Sequence, residues 1–333
     1  MIVLDGGFGE GGGQILRTAV ALSALSSKEV RIVDIRARRD NPGLRPQHVT
    51  SVNSVAELCD AEVEGNTIGS SELTFRPGTI KSGSFKFNVG TAGSATLVLQ
   101  ALLPAAIKAE NNVTIEIAGG TDVKWSPSVD YLKHVFCYYM KRIGCEISVD
   151  ALSRGFYPAG GGVLKAQVKP SEGMGRLRLT DAGVFENIDV WSVATNHLRD
   201  REVAERQVKG FLRDITPNYS VGKINRVYVD SQSVGSSFHA HAQFTSARKG
   251  VCAIGEKSLK AEDVGRKAAL ELISELNSKS PFDIHMSDQI LPYLALFGGE
   301  IRVPQLSNHA QTNIHVINQF GFGIKVDGDL VRT

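Results

Sequence analysis

His309 lies in the polar run Pro304-Gln-Leu-Ser-Asn-His-Ala-Gln-Thr-Asn-Ile314, between apolar stretches that end at Leu306 and resume at Ile314. Such a run is badly placed for core packing and well placed to present an imidazole in a cleft. A neutral imidazole is a good nucleophile near pH 7; the other reading is a histidine hydrogen-bonded within a structured loop. A short way upstream stands a second polar stretch, His285-Met-Ser-Asp-Gln289.

The chain opens with a strand, Ile2–Leu4, that runs into Asp5-Gly-Gly-Phe-Gly-Glu-Gly-Gly-Gly-Gln14 and then an apolar helix. Backbone amides flanked by glycine at a helix N-terminus attract anions. A carboxylate there repels an anionic ligand unless a divalent cation lies between them. Glu10 is therefore a candidate Mg²⁺ or Mn²⁺ ligand to a bound triphosphate, or else a first-turn partner of the helix dipole. Arg17, further along the helix, can reach back to the same phosphates or pair with an acid. Gly7-Phe-Gly-Glu-Gly-Gly12 also fits the dinucleotide fingerprint, with Asp34 at the end of the next strand to hold a ribose. The unbroken Gly11-Gly-Gly13 and the hairpin signals after the second helix weigh against it.

Arg36-Ala-Arg-Arg-Asp-Asn-Pro-Gly-Leu-Arg45 gathers four arginines around a Pro-Gly turn, either a bidentate grip on phosphates or a solvated charged loop. Lys325-Val-Asp-Gly328 fits the nucleotidyl-lysine motif of ligases and capping enzymes, but those need a long domain after the lysine. It reads as a strand and turn. No GxxxxGK[ST] is present, so a P-loop is excluded. His239-Ala-His241 has same-face spacing on a strand and could share a metal; with no third ligand of matching pattern, an exposed strand face is the expectation.

These residues need a scaffold. The 333 residues, 42% of them hydrophobic, suit one large or two medium globular domains. With 37 basic against 35 acidic residues, any nucleic-acid contact must be local. Cys59, Cys137, Cys145 and Cys252 show no CxxC spacing, which argues against zinc and disulfides. No basic leader or long apolar run is apparent, so a reducing setting is expected, the cytoplasm first. An internal repeat is visible. One unit runs through strand Val30–Ile35, a helix around His48–Leu58, and short strands near Ala61–Val63 and Leu73–Phe75. A second runs through strand Ser84–Asn88, helix Thr96–Ile107, strand Val113–Ile117, helix Val129–Ile143, and strands near Glu146–Val149 and Val163–Val168. A third is implied after Pro281. Between about 182 and 280 the texture changes to a polar helix at Arg201–Arg213, strands near Lys223–Val229 and Ser237–Phe244, and an amphipathic helix at Ala261–Leu276. The expected fold is α/β of the α+β type. Residues 1–181 and 281–333 form a large domain of three β-α-β-α-β-β units, and 182–280 a smaller α+β domain inserted in the third.

Leu4-Asp-Gly-Gly-Phe-Gly-Glu-Gly-Gly-Gly-Gln-Ile-Leu-Arg17, Asp288-Gln289, Asn308-His-Ala-Gln-Thr-Asn313 and Gly155-Phe-Tyr-Pro-Ala-Gly-Gly-Gly162, in that spread along essentially the whole chain, resemble the RNA 3'-terminal phosphate cyclase family. The resemblance implies three repeated units with a small domain inserted into the third. It implies that His309 attacks the α-phosphorus of ATP, expels pyrophosphate and carries AMP on a ring nitrogen. AMP then passes to an RNA 3'-phosphate, and the neighbouring 2'-OH displaces it to leave a 2',3'-cyclic phosphate. Gln100, Pro127, His285, Met286, Ser287, Asp288 and Gln289 match positions of the adenosine pocket, and Arg17 belongs to the phosphate-binding opening. Arg36, Arg39, Gln47 and His48 match the loop that binds the RNA end, and Glu10 would hold the metal. His285 stands where bacterial members carry tyrosine, which bears on nucleotide preference. The family has a noncatalytic branch in ribosome assembly that lacks the histidine, so an RNA-binding protein on this scaffold is the alternative. An enolpyruvyl transferase of similar repeated architecture is a third reading.

Overall fold

The computed structural model describes residues 1–170 and 175–333. Its first unit comprises β1 (Ile2–Asp5), α1 (Gly13–Ser26), β2 (Val30–Val33), α2 (Pro46–Cys59), β3 (Glu62–Glu64) and β4 (Leu73–Arg76). The strands lie in the order β1-β2-β4-β3, with β1 and β2 parallel and the other pairs antiparallel. The second unit repeats this plan with β5 (Gly83–Asn88), α3 (Ala95–Ala106), β6 (Val113–Gly119), α4 (Val129–Tyr131), α5 (Cys137–Arg142), β7 (Glu146–Ser153) and β8 (Gly162–Lys169). Its order, β5-β6-β8-β7, and its strand directions match the first sheet. The helix expected over Val129–Ile143 is broken in the middle: a π turn, Leu132–Phe136, joins α4 to α5.

The third unit opens at β9 (Leu177–Leu179). The chain then leaves for β10 (Phe185–Thr195), α6 (Val203–Ile215), β11 (Val221–Val229), β12 (Ser236–Phe244), β13 (Arg248–Ile254) and α7 (Ala261–Leu276), a separate sheet ordered β11-β10-β12-β13. It returns as α8 (Ile284–Gln289), α9 (Leu291–Phe297), β14 (Gly299–Arg302), α10 (Asn308–Gln319), β15 (Lys325–Asp327) and β16 (Leu330–Arg332). In the resulting sheet β9 is parallel to β14, and β16 is antiparallel to both β14 and β15, as in the other two units. The interruption therefore falls directly after the unit's first strand. The split of the third unit is as expected, but β9 itself has no signature before the insert, because a three-residue strand carries too little periodicity to stand out. The polar helix also starts two residues later than expected, at Val203, after a 3₁₀ turn over Asn196–Arg201.

One hydrophobic core runs through the three units, and a second fills the space between the inserted sheet and α6 and α7. At the centre of the first lies α1. Ile15, Leu16, Ala19, Val20 and Leu22 are all buried, as expected of a helix apolar nearly all round. Neighbouring helices α2, α3 and α10 pack on it. Burying such side chains stabilises by about 1.5–3 kcal/mol each, which fixes the N-terminal turn of α1 and the glycine loop before it.

The His239–His241 face is not exposed. Both rings are buried, and the π turn covers them: His134 stacks on Trp191 at 4.0 Å between centroids and lies 5.9 and 5.5 Å from His239 and His241. The cover comes from an element a hundred residues earlier, so strand spacing alone could not reveal it. No helix among the described residues is long and apolar enough to cross a membrane.

Candidate active site

The third unit delivers His309 on the first turn of α10. Ser307 caps that helix: its Oγ accepts from the Ala310 amide (2.9 Å) and donates to Asp288 Oδ1 (2.7 Å). Asn313, one turn on, donates through Nδ2 to the Asp288 carbonyl (3.2 Å) and accepts from Thr18 Oγ1 (2.7 Å). Thus α10 is bolted to α8 on one side and to α1 on the other.

Gln14, at the start of α1, holds the imidazole. Its Nε2 donates to the His309 carbonyl (3.1 Å) while its Oε1 faces His309 Nδ1. The backbone carbonyl can only accept, so the amide orientation is decided, and Nδ1 must carry the proton. The Nε2 lone pair is left free, 3.5 Å from Glu10 Oε2. The His309 side chain is 52% exposed, so the ring is open to a ligand. Gln14 stood within the glycine motif, but a glutamine there reads simply as a helix former, and its role was missed.

The glycine loop is pinned from both sides. Phe8 stacks on His315 of α10 at 3.8 Å, and Arg38 donates to the Gly9 carbonyl (3.2 Å). Gly9 has a positive φ of 58°, and a side chain there would collide with Thr312 Oγ1. At Gly13 a side chain would drive into the His48 ring. Glu10 meets Arg39 at 3.5 Å, a loose contact that leaves the carboxylate oxygens available.

Arg17 is partly buried and makes no ion pair among the described residues. Burial pulls its pKa down to about 10. An arginine held out of water without a carboxylate is an anion receptor in waiting. Asp288, by contrast, is pushed up to about 6, first by burial, with Glu10 and Asp283 adding to the rise against the Ser307 hydrogen bond and His285.

In the arginine loop, Arg36 turns inward: its Nη1 donates to the carbonyls of Asn41 and Gly43 (3.0 Å to the latter), and burial followed by the charges of Arg45 and Arg39 lowers its pKa. Arg39 faces Glu10. Gln47 Oε1 accepts from the Ser94 amide (2.9 Å), linking this loop to the glycine loop of the second unit. His48 is buried in the first turn of α2, where its Nδ1 accepts from the amide of the cap residue Arg45 (3.1 Å). Burial, then Arg17, Arg36 and Arg45, hold its pKa down to about 3, so it stays neutral behind Gly13.

Of the residues matched to the adenosine pocket, Met286 and Ser287 are wholly buried, His285 is exposed, and Asp288, Gln289, Gln100 and Pro127 are half-buried. Gln100 Nε2 and Gln289 Oε1 are buried without a hydrogen-bond partner among the described residues. Such atoms are costly to leave unpaired and normally point to a ligand or water. The Pro127 carbonyl accepts from Thr96 Oγ1 (2.8 Å). Asp283 sets the position of α8: Oδ1 accepts from the Met286 amide (2.8 Å) and Tyr131 Oη (2.7 Å), and Oδ2 from the Gly250 amide (2.8 Å) of the inserted sheet. No three His, Cys, Asp or Glu side chains converge as a metal site among the described residues.

A histidine fixed in one tautomer with a carboxylate 3.5 Å away, on a helix pair whose Arg17 has no ion-pair partner among the described residues, is equipment for group transfer at phosphorus. Consistent with this, the family profile described as RNA 3'-terminal phosphate cyclase matches residues 8–327. Relatives named RNA 3'-terminal phosphate cyclase include one from Pyrococcus furiosus, 45% identical over 96% of this chain and 93% of its own. Others are from Methanopyrus kandleri (42%; 96% and 93%) and Archaeoglobus fulgidus (39%; 99% of each chain). The chain belongs to the RNA 3'-terminal phosphate cyclase family.

Proposed function

We propose that the protein converts RNA 3'-phosphate ends to 2',3'-cyclic phosphates with ATP, through AMP carried on His309 Nε2. The observation that carries this reading is the Gln14 clamp, which puts the proton on Nδ1 and leaves Nε2 as the one nucleophilic nitrogen. Nε2 attacks the α-phosphorus and the bond to the bridging oxygen breaks, with pyrophosphate leaving. A 3'-phosphate oxygen of the RNA then takes the adenylyl group from nitrogen. The vicinal 2'-oxygen attacks the activated phosphorus, loses its proton, and releases AMP.

Phosphoryl transfer of this kind asks for alignment and charge neutralisation more than for acid–base chemistry. Arg17 and the glycine-loop amides supply positive charge for the triphosphate. Gln100 Nε2 and Gln289 Oε1 offer a donor and an acceptor to the polar edge of a base. Asp288 orients α10 through Ser307. A lone pair and a carboxylate 3.5 Å apart repel unless a cation shields them, and this fits Glu10 as the holder of Mg²⁺ or Mn²⁺. The ion, when bound, would neutralise phosphate charge, with its remaining ligands from phosphate and water. Arg39 is near enough to Glu10 to serve the RNA end in the same cleft.

The test is a 5'-labelled RNA bearing a 3'-phosphate, incubated with ATP and Mg²⁺. ATP-dependent resistance of the terminal phosphate to phosphatase is expected. RNA that binds yet keeps a phosphatase-sensitive end would instead favour a noncatalytic RNA-binding role.

A further inference from the structure

Trp125 is 94% exposed, yet the loop that carries it is held firmly. The amides of Thr121 and Asp122 donate to the Gly155 carbonyl (3.0 and 3.2 Å), and Ser126 Oγ donates to the Val123 carbonyl (2.9 Å). Lys124 pairs with Glu256 of the inserted region at 2.6 Å. An isolated exposed hydrophobic side chain is ordinary on its own. What sets this one apart is its backbone: φ is +60°, a conformation that a bulky L-residue rarely adopts.

Six non-glycine residues share that left-handed region among those described. Ser27, Asp60 and Glu202 are helix caps, where it is common. The other three are Asp34, Arg36 and Trp125. Asp34 and Arg36 follow β2 in the first unit, and Trp125 follows β6 in the second. These are equivalent loops, each leaving the second strand of a parallel pair and entering the next helix. Strain outside helix caps is thus confined to loops at corresponding ends of the two repeats, and strained positions of this kind gather at functional sites.

Contacts join the two loops into one rim. The Pro127 carbonyl meets Thr96 Oγ1, which meets Ser94 Oγ at 2.7 Å, and the Ser94 amide meets Gln47 in the first turn of α2, directly after the arginine loop. We infer that Trp125 is a stacking platform for an unpaired base near the 3' end of the RNA. This rests on the cyclase reading above, since that reading brings an RNA end to this rim. A flat indole accepts any base, and the arginine loop on the same rim supplies positive charge for the adjoining backbone, whereas Lys124, 5.9 Å from the ring centre, is already paired with Glu256. An aromatic face close to cationic side chains is how single strands are held without sequence preference.

The chain has two tryptophans, so a Trp191→Phe protein leaves Trp125 as the sole indole reporter. Titration of that protein, without ATP, with a short single-stranded RNA ending in a 3'-phosphate should quench its fluorescence, and abasic substitution near the 3' end should remove the quench. In the otherwise native protein, Trp125→Ala should raise KM for RNA roughly ten-fold with kcat preserved, and Trp125→Phe should recover most of the loss. Self-labelling by ATP needs no RNA and should not change. An unchanged KM for RNA would overturn the inference. So would an equal rise in the ATP requirement, which would assign the ring to the nucleotide, or a change in sedimentation of Trp125→Ala, which would assign it to a contact between copies. Failure of wild-type protein to form histidine–AMP would remove the cyclase reading instead, and is read separately from the quench.

Discussion

Gln14 and His309 come from opposite ends of the chain and meet through both ends of one amide, Nε2 on the histidine's carbonyl and Oε1 on its Nδ1. The clamp fixes backbone and ring at once, so the imidazole cannot turn its nucleophilic nitrogen away. Groups that orient a catalytic histidine typically contribute one to two orders of magnitude or more. Gln14→Ala should slow self-adenylylation about 10- to 100-fold while thermal stability stays near wild type, because the side chain is only partly buried. Rapid-quench measurement of labelling beside a thermal melt checks both halves.

Arg17 is kept partly buried without a carboxylate partner among the described residues. Arg17→Met should therefore raise the melting temperature by a few degrees, since an uncompensated charge leaves the interior. It should also lower labelling by ATP about 10- to 100-fold. A variant both less stable and fully active would contradict the phosphate-receptor role.

Asp288 has its pKa raised to about 6, chiefly by burial, above the usual 3.9 of an aspartate. The unfolded chain then loses this proton first as pH rises, so the stability tied to the protonated form is full below about pH 4 and gone above about pH 6. Asp288→Asn keeps an oxygen for Ser307 and removes the titration. The variant should melt above wild type at pH 8, and the difference should shrink as pH falls through 6 toward 4.

The buried histidines under the π turn have the opposite sign. Burial holds His134 down to about 4 and His239 to about 3, with Asp130 acting against it in both cases. As pH drops below about 6.5 the unfolded chain takes up protons that the folded one refuses, so stability is full above 6.5 and is lost toward pH 4. The melting temperature should fall by roughly 5 °C or more between pH 7 and 5. His134→Phe, which keeps a ring against Trp191, should flatten that slope.

We read residues 182–280 as a domain that folds around its own core. Expressed alone, this segment should give a cooperative melt, at a lower temperature than the full chain because Trp191, His239 and His241 lose their cover. A non-cooperative melt would make the insert part of one folding unit.

Much of this architecture is visible in the order of residues. Apolar helices such as α1 and α3 announce themselves through segments rich in Ala, Val, Ile and Leu, and the glycine run marks the start of α1 through its freedom at Gly9 and the close approach at Gly13. Features set by distant packing are not visible. β10 mixes Glu186, Asn187 and Asp189 with apolar residues, so its alternation is blurred, although it is the strand to which both β11 and β12 pair. The rings of Tyr131 and His134, beside and on the π turn, meet His239 of the insert, a contact with no local signature. His309 and Glu10 could be picked out as chemistry, but the Gln14 clamp joins residues 295 positions apart and has no local signature.

The most direct test of the account is incubation of purified protein with Mg²⁺ and ATP labelled in the α-phosphate, beside His309→Ala, followed by denaturing separation. The account predicts label on the wild type that is lost in acid, survives base, and is missing from the variant. Folded wild-type protein that takes no label from ATP or any other nucleotide, or a variant that labels as well as wild type, would contradict it.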